Sequence, residues 1–158
     1  MNRDTRLSDV LHVLLHMGQT NAPLTSEVLA KSMGTNPAVF RRTMAGLRED
    51  GHVTSGKGHG GGWQLARPLD QITLLDVYQA LGRPTLFAIG NRSEHPDCQV
   101  QKRVNRALSD TMAQAEALFI LRFGEVTLDT LMPSSAASPS VHERQAVMRS
   151  DISGSCKI

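Results

Sequence analysis

Apolar positions at the start of the chain repeat with the period of a helix. Leu7, Val10, Leu11, Leu14 and Leu15 form one stripe, so the spacing predicts a helix over 6–19, closed by Gly18 and Asn21-Ala22-Pro23. Thr25 offers an N-cap for a second helix, with Glu27 in its first turn and Val28, Leu29 and Met33 expected to face inward before Gly34. Asn36 before Pro37 sets a cap and an N1 proline in their preferred order, and a third helix is predicted over 36–50, stopped by Gly51. Only a few residues around Gly34-Thr35 separate the second and third helices, which is the economy of a helix-turn-helix.

After Gly51 the pattern changes. Val53 and Trp63-Gln64-Leu65 supply two short strands, and five of the seven positions 56–62 are glycine, so a hairpin is predicted over 53–65. Thr73 and Asp76 are spaced as a capping box for a helix reaching Leu81, which Gly82 and Pro84 end. Asp97 is the expected cap of a long helix over 98–123, roughly 39 Å at 1.5 Å per residue. Its stripe is Val100, Val104, Ala107, Leu108, Thr111, Ala115 and Leu118, widened by Met112 and Phe119. A last short helix is expected over 128–132, opened by Thr127. From Pro133 the chain turns to Ser, Ala and Pro, a composition that predicts disorder.

The predicted fold is mainly α with a small β-hairpin: a winged helix-turn-helix over 1–82, linker and dimerisation helices over 83–132, and a disordered tail over 133–158. The order of helix, strand, glycine-rich tip and strand is that of a winged-helix DNA reader. Bulk properties allow this without requiring it. The 158 residues are 40% hydrophobic, enough for one real core, and the scarcity of aromatics (4%) leaves Leu, Val, Met and Ala to fill it. A net charge of +2 is mildly basic. No apolar run of about 18 residues exists, so no membrane span is expected. The N-terminus carries Asp4 and Asp9 and does not read as a signal peptide. Cys98 and Cys156 are too few for a disulfide framework, and a cytoplasmic protein is expected.

The third helix divides by chemistry. On a 100° wheel Phe40, Thr43, Met44 and Leu47 share the core side. Ala38, Arg42, Ala45 and Glu49 lie opposite, with Arg41 and Arg48 on the flank. A guanidinium fork can bond guanine O6 and N7 together, and such helices touch bases mainly through their N-terminal half. Asn36, Ala38, Val39, Arg41, Arg42 and Thr43 are therefore the expected contacts to double-stranded DNA. In the hairpin, Lys57 and His59 stand among glycines that let backbone approach a sugar-phosphate chain, with Thr54 and Ser55 at the base. Gly56, Gly58 and Gly61 also satisfy G-x-G-x-x-G, but Trp63, Leu65 and Pro68 leave no room for the helix that a dinucleotide site needs. The alternative for the whole domain is a winged helix used for protein interaction without DNA.

The remaining constellations are small. His12 and His16 lie four apart, but Val13 replaces the glutamate of H-E-x-x-H and no third ligand is evident, so no metal site is expected. His95 near Cys98, together with the helix N-terminus, would favour the thiolate and make Cys98 a candidate redox thiol. No Ser-His-Asp set or paired catalytic carboxylates are present, so no enzyme is expected.

The segment SGKGHGGGWQLARPLDQITLLDVYQAL, residues 55–81, resembles the Ser-x-x-Gly-x-x-Gly-Gly-aromatic-x-Leu-Ala-Arg stretch and the following Ile-Thr-Leu-x-Asp-Val of the Rrf-two family of bacterial winged-helix regulators. TNPAVFRRTMAGLREDGHVTS is similar to that family's third helix, and HPDCQVQKRVNRAL with TLDTLM to the two ends of its dimer region. The family includes the iron–sulfur cluster regulator, the nitric-oxide-responsive repressor and the cysteine-metabolism repressor. The resemblance implies a homodimer on a palindromic operator, usually a repressor. It implies DNA contact at Asn36, Val39, Arg41, Arg42, Ser55 and Lys57, and a phosphate contact at Arg6. Cluster-binding members place three cysteines before the long helix. This chain keeps only Cys98 there, so no cluster is expected and the cluster-free YwnA-type branch is the better match.

Overall fold

The computed structural model describes residues 4–58, 60–91 and 97–133. Helix α1 is Arg6–Gly18, α2 Ser26–Ser32, α3 Pro37–Thr43 and α4 Ala45–Glu49. Strands β1 (Val53–Ser55) and β2 (Trp63–Leu65) form an antiparallel hairpin, with Val53 opposite Leu65 and Ser55 opposite Trp63. Helix α5 is Leu74–Ala80 and α6 is Gln99–Glu125, followed by a 3-10 turn at Leu128–Leu131. The predicted α-helical winged-helix architecture with one small hairpin is what the chain forms.

Side-chain caps start three of the six α-helices among the described residues, α2, α3 and α5. The Thr25 hydroxyl accepts from the Val28 N–H, starting α2. The Thr73 hydroxyl accepts from the Asp76 N–H at 3.1 Å, while the Asp76 carboxylate accepts from the Thr73 N–H at 2.7 Å, completing the capping box of α5. One core joins these helices. Val10, Val13, Leu14 and Met17 of α1 meet Leu29, Phe40, Met44, Leu47, Val53, Trp63, Ile72 and Val77, all buried. Burial of side chains of this size is worth about 1.5–3 kcal/mol each.

Four expectations are corrected. Val28 does not face inward; it is 39% exposed, and Leu29 and Ala30 take the buried positions of α2. The helix predicted over 36–50 is two short helices joined at Met44, although α-type bonds run across the joint from Met44 N–H to Phe40 O and from Arg48 N–H to Met44 O. Just beyond the joint, a Cβ on Gly46 would lie 2.0 Å from the Ala80 carbonyl oxygen. The backbone of α5 therefore presses directly on α4, and only glycine fits. Asp97 does not cap the long helix: Cys98 is the N-cap residue, with no side-chain cap bond, and the helix runs on past 123 to Glu125. The segment expected as a helix over 128–132 is a 3-10 turn.

Helix α6 is tied to the rest chiefly at its C-terminal end. The Leu74 N–H bonds Val126 O and the Leu128 N–H bonds Ile72 O, both at 2.9 Å. Phe123 meets Tyr78 edge-on with ring centroids 5.9 Å apart, and the Tyr78 hydroxyl donates to Pro84 O. The predicted tail beyond Pro133 lies outside the described residues.

Candidate nucleic-acid interface

Asn36 fixes where α3 begins. Its Oδ1 accepts from the N–H groups of Ala38 at 3.1 Å and Val39 at 3.0 Å, with Pro37 in the first turn. Its carboxamide oxygen is thus committed to the helix, and only its NH2 group remains to face outward. Phe40 fixes the rotation of α3: it is fully buried and packs edge-on against Trp63, centroids 5.4 Å apart. With Phe40, Met44 and Leu47 inside, Ala38, Val39, Arg41 and Arg42 are exposed and Thr43 is half-buried. Neither Arg41 nor Arg42 has a carboxylate partner among the described residues. Two unpaired guanidinium groups therefore stand on the first two turns of a capped helix.

The hairpin is built differently at its two ends. At the root, Trp63 is buried and its indole N–H donates to Ser26 Oγ at 3.0 Å. Trp63 also exchanges backbone bonds with Leu24, at 2.8 and 3.1 Å, so a third extended segment flanks β2. A Cβ on Gly62 would come within 2.8 Å of the Leu24 carbonyl oxygen, so that approach needs glycine. Toward the tip, the Gly56 N–H bonds Gly62 O at 2.9 Å and the Gly61 N–H bonds Gly58 O at 3.0 Å. Ser55 and Lys57 are exposed there; His59, expected as a contact, lies outside the described residues. The roles of Ser26 and Leu24 were invisible in the sequence, because they act through partners nearly forty positions away.

Arg6 begins α1 exposed and paired with Asp4, its Nε donating to both carboxylate oxygens at 3.0 and 3.1 Å. That pairing holds the Asp4 carboxyl below its usual range and raises Arg6 further. An exposed pair of this kind is weak and exchanges readily for another anion.

On α6 the predicted stripe faces solvent in the single chain. Val100 is 70% exposed, Val104 45%, Leu108 39% and Leu118 60%, with Ala107, Thr111 and Ala115 exposed between them. Cys98 is exposed at the start of this helix. The backbone N–H of Gln101, then that of Val100, lowers its thiol below the ordinary cysteine value. His95, expected beside it, is outside the described residues.

Residues 3–134 match the pattern of the Rrf2 family, described as iron-dependent transcriptional regulators. The chain belongs to this family. Within it, the chain is 32% identical over 114 residues to the candidate HTH-type transcriptional regulator YwnA of Bacillus subtilis, covering 72% of this chain and 84% of that protein. A solved structure of a candidate DNA-binding protein is 27% identical, with a TM-score of 0.63, covering 81% of this chain and 99% of that one. The structure of a candidate transcriptional regulator from Lactobacillus plantarum matches with a TM-score of 0.68 at 23% identity, covering 82% and 88%, and shows the shared fold.

The family description names iron, and the donors of this chain do not fit a four-thiolate cluster. The sequence holds two cysteines, Cys98 and Cys156. Among the described residues no three His, Cys, Asp or Glu side chains converge on one point. Also among those residues, no helix is long and apolar enough to cross a membrane.

Proposed function

We propose that this transcriptional regulator is a homodimer that binds a palindromic DNA operator sequence-specifically and represses. Residues 36–50 enter the major groove, where Arg41 and Arg42 read base edges or grip phosphate, with Asn36, Val39 and Thr43 beside them. The wing over 53–65 meets the backbone or minor groove through Ser55, Lys57 and His59, and Arg6 exchanges Asp4 for a phosphate. The stripe from Val100 to Leu118 joins the protomers and so sets the spacing of two half-sites.

The observation that carries this reading is the contrast on α3: Phe40 wholly buried and two unpartnered arginines on the exposed side. The likeness to proteins described as HTH-type and DNA-binding supports it. A mobility-shift assay on the DNA upstream of the protein's own gene tests it. Retardation that weakens steeply with salt, and loss of operator discrimination in Arg42→Ala, are the expected results. Unchanged binding by that variant would remove this face from the interface.

Val39, apolar and 39% exposed on the same helix, favours the second reading, a protein-interaction module. A chain that ignores its upstream duplex at low salt, yet retains a protein through Val39, would decide for that reading.

A further inference from the structure

His12 and His16 stand one turn apart on α1, outside the stripe formed by Val10, Val13, Leu14 and Met17. Both are half-buried, and their Nε2 atoms share a hydrogen bond at 2.7 Å, with ring centroids 4.4 Å apart at 63°. Spacing alone gave no reason to expect a metal site here; the approach of two ring nitrogens is what the structure adds.

We infer that His12 and His16 are a two-point chelate for a divalent transition-metal ion of the copper(II)–nickel(II) kind. Imidazole nitrogen bonds such ions at about 2.1 Å, so nitrogens 2.7 Å apart subtend roughly 80° at the metal. A square-planar or octahedral ion asks for about 90°, reached by opening the pair a few tenths of an ångström. A tetrahedral ion such as zinc needs the nitrogens roughly 3.4 Å apart, a much larger movement. Geometry and the ordinary order of metal affinities therefore agree on nickel and copper.

Both ligands sit on one helix whose other side is locked into the core, so little ordering is needed on binding. Neutral imidazole is the ligating form. In the metal-free chain one Nε2 carries the proton of the bond to the other; an ion replaces that proton, which moves to Nδ1 of the same ring, so both Nε2 lone pairs then serve the ion with no net proton release. Since no third protein ligand joins them among the described residues, water completes the coordination. A bound ion bridges positions 12 and 16 and stabilises the folded chain by mass action.

The test uses the untagged, full-length, metal-free protein and nickel(II) alone. Calorimetry should count one ion per chain, and saturating nickel should raise Tm. His12→Gln and His16→Gln should each lose the binding and the Tm shift, while Cys98→Ser keeps both. If a histidine variant fails to fold, copper(II) electron paramagnetic resonance on the folded Cys98→Ser protein reads the site directly and should resolve two imidazole nitrogens. Nickel binding undiminished in both histidine variants, or a copper spectrum without two nitrogens, overturns the site. Tighter binding of zinc than of nickel overturns the metal class.

Discussion

The winged-helix body and the long helix α6 use the same apolar residue types to opposite ends. In the body, every strongly apolar stripe closes on another element of the same chain: Val10, Leu14, Phe40, Met44 and Leu47 are wholly buried. On α6, Val100, Val104, Leu108 and Leu118 remain open, and Asn105 is the helix's one buried residue among those described. A helix can thus be amphipathic by pattern without its own chain supplying the cover. The body closes its apolar stripes within one chain, whereas α6 leaves its stripe open, the face that the proposed homodimer would cover.

Truncating the body should have the largest effect. Phe40→Ala removes the ring that fixes α3 and touches the wing root, and should cost about 3–5 kcal/mol in urea unfolding. The same intrusion on α6 should separate association from folding. Val104→Glu with Leu108→Glu should leave the circular dichroism of a folded chain but shift sedimentation from dimer to monomer, each charge costing the dimer about 2 kcal/mol or more. A variant that unfolds instead would show α6 to be part of the body's core. Arg42→Ala should weaken operator binding by about 1–3 kcal/mol and leave Tm unchanged, since that side chain is exposed and has no carboxylate partner among the described residues.

The next effect is smaller and of opposite sign. His52 is buried and its Nδ1 finds no hydrogen-bond partner among the described residues. His52→Leu should raise stability by about 1 kcal/mol in the same unfolding assay, by removing an unsatisfied polar atom from an apolar place. Least in energy is the thiol at the free end of α6. Thiolate is the reactive form and Cys98 is held toward it, so in a Cys156→Ser protein its alkylation by iodoacetamide should rise at lower pH than for a free thiol. A pH profile matching a free thiol would show that the helix start does not act on it.

What could be read from the sequence was what depends on neighbours in the chain. The Asn36 cap and the Thr73–Asp76 box join residues two or three apart, and both formed as expected. The core side of α3 followed from its period. What escaped were effects of distant partners. Val28 fits an inward stripe by spacing, yet Leu29 and Ala30 hold the buried places of α2. The joint at Met44 lies where α5 bears on Gly46, and Ser26 gains its role only when Trp63 arrives from the hairpin. For the candidate interface, periodicity separated Arg41 and Arg42 from Phe40 correctly, but gave no hint that Asn36 spends its oxygen on the helix or that Asp4 engages Arg6.

The anchorage of α6 has a mechanical consequence. A rod of 27 residues, about 40 Å long, is fastened to the body near Val126 and Phe123, while Cys98 marks its distant end. A slight pivot at the fastening becomes a wide sweep at the tip. In reverse, a pull at the tip would act through that fastening on α5, whose Ala80 carbonyl closes on Gly46 of α4.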